Sequence, residues 1–242
     1  MQRALDEKAD LLSVLPVLEM KGFWENVIQP VCGGVMMIWF KPHQVNDPSK
    51  PAAYANGAFM LIRRDAYETI GTHAAVKQCL NEDIHMAGRI KQAGLRLSVV
   101  RNEGLYLVRM YTSLGAILRG WGRIFLGTFG TTGRLIASLL VLIIMGLLPY
   151  ATTALGWIGL AAGVGSPAWC WAAGLVGAAA VLMQLSVIVR FYKLLYAKPA
   201  LAWTYPLGCA IAAIAVTRSL IHLLAGKKVV WKGTRYSGAN QG

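Results

Sequence analysis

A chain of 242 residues can hold one or two domains, but with 56% of them apolar and a mean hydropathy of +0.49 this one is too apolar for an ordinary soluble enzyme and reads as a membrane protein. The formal net charge of +13 is unevenly spread: all eleven acids lie at or before Glu103, beside twelve Lys and Arg, and from Gly104 onward twelve basic residues meet no acid at all. Carboxylate catalysis and carboxylate metal binding are thereby excluded from the second half, which reads as an anchor facing anionic lipid heads.

The first thirty residues predict a helix ending near Pro16, then FWENVIQP, whose Phe23, Trp24, Val27 and Ile28 share a helical face. The run VCGGVMMIWF over residues 31–40 is too short to span a bilayer and reads as buried or interfacial. Residues 41–51 form a loop, and residues 52–63, AYANGAFMLIRR, read as a strand broken at Asn56-Gly57. A short helix starts at Asp65 and closes at Gly71. Residues 81–94, NEDIHMAGRIKQAG, predict a helix with Asn81 as N-cap and Gly94 as stop. Ile84, Ala87 and Ile90 face its core, which leaves Glu82 and Asp83 in the first turn, at the rim of whatever the helix end meets. Two extended pieces follow, over residues 95–100 and 105–110.

From Ser113 a stripe of Leu114, Ile117, Leu118, Trp121, Ile124 and Phe125 predicts an amphipathic helix at the membrane surface, anchored by its Trp, with Arg119 and Arg123 one turn apart on the other side. Apolar runs over residues 135–155 and 169–189 are long enough to cross the hydrocarbon core, which needs about 20 residues. The loop between them is uncharged, whereas Arg134, Arg190, Lys193 and Lys198 flank them, so the positive-inside rule puts residues 1–134 on the cytoplasmic side of the cell's inner membrane. A third apolar segment, 206–224, contains Arg218 and precedes Lys227, Lys228, Lys232 and Arg235. It either spans or re-enters with its basic tail inside.

Cys32, Cys79, Cys170 and Cys209 show no C-x-x-C spacing, and the histidines do not pair with them, which argues against structural zinc. The charged opening MQRALDEKAD is not a secretory signal. The cations, interleaved with apolar spans, form no basic helix or base-stacking platform, which argues against nucleic acid.

Taken in order, ANGAFMLIRRDAYETIG, NEDIHMAGRIKQAG, RMYTSLGAILRGWGRI and the closing VVWKGTRY resemble the C-terminal part of membrane-bound family 2 glycosyltransferases, in particular the bacterial type that includes hopene-associated enzymes. The resemblance covers nearly the whole chain. It implies a partial α/β nucleotide-sugar transferase domain, GT-A-like, over residues 1–112, with its N-terminal donor half absent. An interfacial helix and hinge over 113–130, transmembrane helices over 131–226 and a basic tail over 227–242 complete the implied anchor. It further implies an inverting transfer from a nucleotide sugar to a lipid or lipid-linked acceptor, with Asp83 as catalytic base and Glu82 orienting it or serving as a plain first-turn acid.

A carboxylate at a helix N-terminus has its charged form favoured, which suits a base. Asn56-Gly57 matches the family's acceptor-side strand end, or is an ordinary bulge. Arg119, Trp121 and Arg123 occupy the place of a Gln-x-x-Arg-Trp motif that holds the leaving diphosphate; the chain has RGWGR there, and two arginines suit lipid phosphates equally. Arg109 and Lys232 are lesser basic candidates, and His85 reads as a surface residue. A divalent metal, Mg or Mn, is implied only with the donor half, because the chain carries no D-x-D. The rival reading is a non-catalytic membrane module that binds a partner protein or anionic lipids.

Overall fold

The computed structural model describes residues 2–226, 229–231 and 234–236; Lys227, Lys228 and Lys232 lie outside the described residues. After a short helix α1 (Gln2–Asp6), LLSVL forms the strand β1 (Leu11–Leu15) where a helix was expected. Its residues are covered on both faces, so the sequence shows an apolar run interrupted only by the buried Ser13 instead of alternation, and periodicity alone cannot separate such a strand from a buried helix. After β2 (Val17–Leu18), the two apolar stretches read separately above fuse into one helix, α2 (Phe23–Trp39), which continues through Pro30. Next come α3 (Pro42–Val45), β3 (Met60–Ile62), α4 (Arg64–Thr69), α5 (Glu82–Gln92), β4 (Leu97–Arg101) and β5 (Leu107–Val108). Only the last part of the expected 52–63 strand pairs. β1 is the centre of a mixed sheet, antiparallel to β3 and parallel to β4, while β2 pairs in parallel with β5.

The helix α6 (Leu114–Phe129) is capped by Ser113, whose Oγ accepts the Ala116 N–H at 3.3 Å, and is ended by Gly130 at φ +55°. Its apolar stripe is not turned to lipid. Ile117, Trp121, Phe125 and Phe129 are buried with residues of α2 and of the last apolar helix, so Trp121, 5% exposed, is a core residue and not a headgroup anchor. The reason is that a stripe of this width is best covered by two packed helices when both are present.

Then α7 (Thr132–Val141), a π-helical segment (Leu142–Leu147) and α8 (Leu148–Ala162) make one continuous apolar rod, answered by α9 (Pro167–Leu194) and α10 (Tyr205–Leu224). Three segments, Thr132–Ala162, Pro167–Leu194 and Pro199–Leu224, are long and apolar enough to cross a membrane. A hairpin of β6 (Val229–Trp231) and β7 (Thr234–Tyr236) closes the described chain.

Helices α8 and α9 touch through small residues. A Cβ at Gly156 would lie 2.3 Å from the Gly174 nitrogen, and one at Gly177 2.5 Å from Thr153 Oγ1, so backbone approach holds the pair together where lipid supplies no hydrophobic force between them. α10 packs both against the rod, where a Cβ at Gly146 would lie 2.5 Å from Cys209 Sγ, and against the part of the chain that precedes it. A Cβ at Gly208 would meet the Val27 carbonyl at 2.3 Å, and Ser219 Oγ donates to the Gly122 carbonyl at 2.7 Å. Trp39 donates from Nε1 to Ser138 Oγ at 2.9 Å, and Phe59 stacks on Tyr106.

Within the rod, Pro149 has no N–H to give the Met145 carbonyl four residues earlier, and the Gln184 side-chain amide from α9 donates to that carbonyl instead. Gln184→Leu should therefore lower stability in detergent by ~0.6–2 kcal/mol. In a Pro149→Ala background, where the backbone can supply the donor, the same change should cost less; unfolding titrations of the double-mutant cycle measure the difference.

Candidate functional site

The first turn of α5 is the meeting point of the sheet and the helices. Asn81, the residue before the helix, was expected to cap it, but its side chain makes no cap bond. It donates across to α6 instead, to the Ile124 carbonyl at 3.0 Å and Thr128 Oγ1 at 2.7 Å, in a place where Gly127 lets the two backbones close up. The expected cap is thus a tie between elements, because a buried amide finds fixed acceptors there.

Beyond this tie, Asp83 faces the 56–58 turn. Ser13 Oγ on β1 accepts the Asn56 N–H at 2.8 Å, and Asn56 Oδ1 accepts the Ala58 N–H at 3.0 Å. Between them the Gly57 N–H donates to Asp83 Oδ2 at 2.8 Å, while Oδ1 accepts the Ile84 N–H at 2.8 Å. A Cβ at Gly57 would lie 3.3 Å from Oδ2, so glycine serves close approach here. Burial raises the Asp83 carboxyl above the ordinary aspartate value, against the Gly57 and Ile84 N–H bonds that pull it down. This corrects the expectation that the helix terminus alone would set its charge: desolvation of a half-buried carboxylate outweighs the first-turn field.

A cavity of about 860 Å³ has Asn56, Gly57, Glu82, Asp83, Trp121 and Arg123 on its wall. Six of the seven predicted site residues are thereby brought together. Arg119 is the exception, exposed on α6 and off the cavity wall, so it does not share a pocket with Arg123, which reaches the Leu80 carbonyl at 3.4 Å. Arg109 forms a two-pronged pair with the fully buried Glu25, at 2.9 and 3.1 Å, and this pairing holds the Glu25 carboxyl below its usual range. It is a fastening between the β5–α6 link and α2. His85 is half-buried off the wall, its pKa lowered by that burial.

Two wall residues escaped the sequence reading. Tyr54, against Phe40, has its phenol pushed up to about 12 by burial, so it stays a hydrogen-bond donor close to Asp83. Gln29 on α2 is buried at the wall, and its only signal in sequence was a polar residue in line, at helical spacing, with Gly33 and Met36. Both Asp83 oxygens already accept N–H groups, and no group of three His, Cys, Asp or Glu side chains suits a metal among the described residues.

No family model, no curated protein and no solved structure matches the chain.

Because Asn81 ties α5 to α6, Asn81→Asp should destabilise the chain by ~1–3 kcal/mol although Asp is an equally good cap, since it removes both N–H donors and sets a carboxylate against the Ile124 carbonyl, an obligate acceptor. Thermal unfolding of the variant in detergent checks this; stability equal to the parent would restore the simple capping role.

Proposed function

We propose that these residues form the acceptor and base side of an inverting glycosyltransferase that works at a membrane surface. The observation that carries the reading is that one cavity joins the Asp83 carboxylate to the end of the apolar helix α9, at Leu194, Leu195 and Tyr196. An amphiphile with its chain at the membrane end would bring its polar group to the carboxylate. Asp83 then takes the proton of the acceptor hydroxyl as that oxygen bonds to the anomeric carbon of a nucleotide sugar. The bond from that carbon to the nucleotide diphosphate breaks with inversion, and the diphosphate leaves with the bonding electrons. The Gly57 N–H fixes the carboxylate that accepts the proton, and the raised basicity that burial gives it favours the transfer. Arg123 on the same wall supplies positive charge. A GT-A-like sheet would place the donor against β1, β3 and β4, and a nucleotide-binding half would bring the metal.

In a protein that also carries a donor-binding half, Asp83→Asn should abolish transfer while leaving expression and melting temperature nearly unchanged. For the parent, the acid limb of kcat/KM against pH should lie above the ordinary aspartate value of about 3.9. Folding raises this pKa, so the folded chain holds the proton more tightly than the unfolded one, and stability falls as pH rises from the ordinary value through the raised one. That slope should vanish in Asp83→Asn. Transfer retained by the variant would return the pair to a structural role and favour a module that only binds.

For the membrane, α10 meets α2 near Gly208 and α6 near Ser219 as well as the rod near Gly146, and we infer that residues 1–134 lie on the cytoplasmic side with the α8–α9 turn on the other. In a cysteine-free background, a membrane-impermeant thiol reagent added to intact cells should label Ser166→Cys in the α8–α9 turn and spare His43→Cys. Labelling of His43→Cys would reverse the orientation.

A further inference from the structure

The cavity has a second polar feature that the base does not use. Gln29 is 1% exposed and lies on the wall, and neither its Nε2 nor its Oε1 has a hydrogen-bonding partner among the described residues. Trp121, also on the wall, has an unpartnered indole N–H. A buried amide left without partners carries the full desolvation penalty of its donors and its acceptor, so a fold that keeps one at a cavity wall keeps it for something that enters the cavity.

The surroundings say what enters. Along the same face of α2, Gly33, Met36 and Met37 continue the wall, with Met37 41% exposed at the rim. Leu194 at the end of α9 and Leu195 just after it line the same cavity. Gln29 therefore shares its cavity with this apolar stretch of wall and with the end of a membrane helix. Gly33 leaves this face bare, as no atom stands within 4 Å of where its Cβ would be.

We propose that Gln29 and Trp121 form a neutral polar subsite, which binds a group of the ligand that both donates and accepts hydrogen bonds, a hydroxyl or an amide, while the ligand's apolar part lies on Gly33, Met36 and Met37. The chemistry selects this class. An anion would satisfy the amide N–H and indole N–H groups but face the Gln29 carbonyl with lone pairs. A cation would satisfy only that carbonyl. A neutral hydroxyl or amide answers both kinds of orphan. The subsite rests on the reading of the cavity as an acceptor site and makes Gln29 the residue that distinguishes neutral from ionised amphiphiles.

The test is a titration of the purified chain, in detergent, with 1-monooleoylglycerol and with oleyl phosphate, read by native mass spectrometry, together with melting curves of the same samples. One monooleoylglycerol should bind saturably, and oleyl phosphate should compete poorly. Gln29→Leu and Trp121→Phe should each weaken monooleoylglycerol binding by roughly tenfold. Removing an orphaned buried amide leaves nothing unpaired, so Gln29→Leu should melt at the same temperature or higher. A Gln29→Leu chain that melts several degrees lower, or fails to fold, would show that the amide is bonded within the protein and overturn the proposal. Undiminished binding by that variant, or no saturable binding by the parent, would overturn it equally. The titration needs neither donor nor transfer, so its outcome is separate from that of Asp83→Asn.

Discussion

The bonds from the Asn81 amide to the Ile124 carbonyl and Thr128 hydroxyl are the constraint on which the geometry of the cavity depends. The sheet and the bundle bury their own separate cores, and without a fixed crossing between them the first turn of α5 could take many positions relative to α6. The tie is buried, directional and backed by a glycine, Gly127, at which any side chain would strike Leu80 and Asn81. It sets Asp83 from one side, and the turn anchored on Ser13 sets it from the other. The carboxylate is thereby defined by a central strand, a loop and two helices, which is how a half-exposed side chain acquires a single place.

A second set of polar contacts fastens the other end of the cavity. The first turns of α2 bury Glu25, Asn26 and Gln29 in a row. Glu25 takes Arg109, and Asn26 donates to the carbonyls of Met20 and Gly22 while its Oδ1 accepts the Lys198 N–H at 2.8 Å. Asn26 thus holds the turn after α9 to the beginning of α2, and the rim residues Leu194 to Tyr196 are positioned by a hydrogen bond that spans most of the sequence. Lys91 does the same for the 44–50 loop, donating to the carbonyls of Gln44, Asp47 and Lys50. Cations and amides serve as staples here because loop carbonyls have no ladder to join.

What could be read from sequence follows from which forces leave a periodic trace. The helix at 82–92 was legible through its apolar spacing and the glycine after it, and the two long apolar runs through length alone. The pairing of Asn56-Gly57 with Asp83 was expected only as two separate features, and their meeting depends on β1, a strand disguised as a helix by burial on both faces. The membrane-facing role given to the α6 stripe failed for a related reason: an amphipathic pattern records that one face is apolar, not whether lipid or protein covers it. Gln29 was invisible because one polar residue at helical spacing carries no information until its neighbours in space are known.

The core that α2 and α6 share with α10 is assembled from residues 27 to 216, and this separation has a consequence for biogenesis. A ribosome adding about 5–20 residues per second has several seconds of work between the end of α6 and the completion of α10. Throughout that interval the apolar faces of Val27, Val31, Ile117 and Phe125 have been made but lack their last partner. A nascent chain in this condition depends on chaperones or on the lipid surface to keep those faces apart from others, and the cavity wall formed by α2 and α6 becomes rigid only when the last long helix arrives. Any chain cut before Tyr205 would carry every residue that touches Asp83 and still be unable to hold that wall in place.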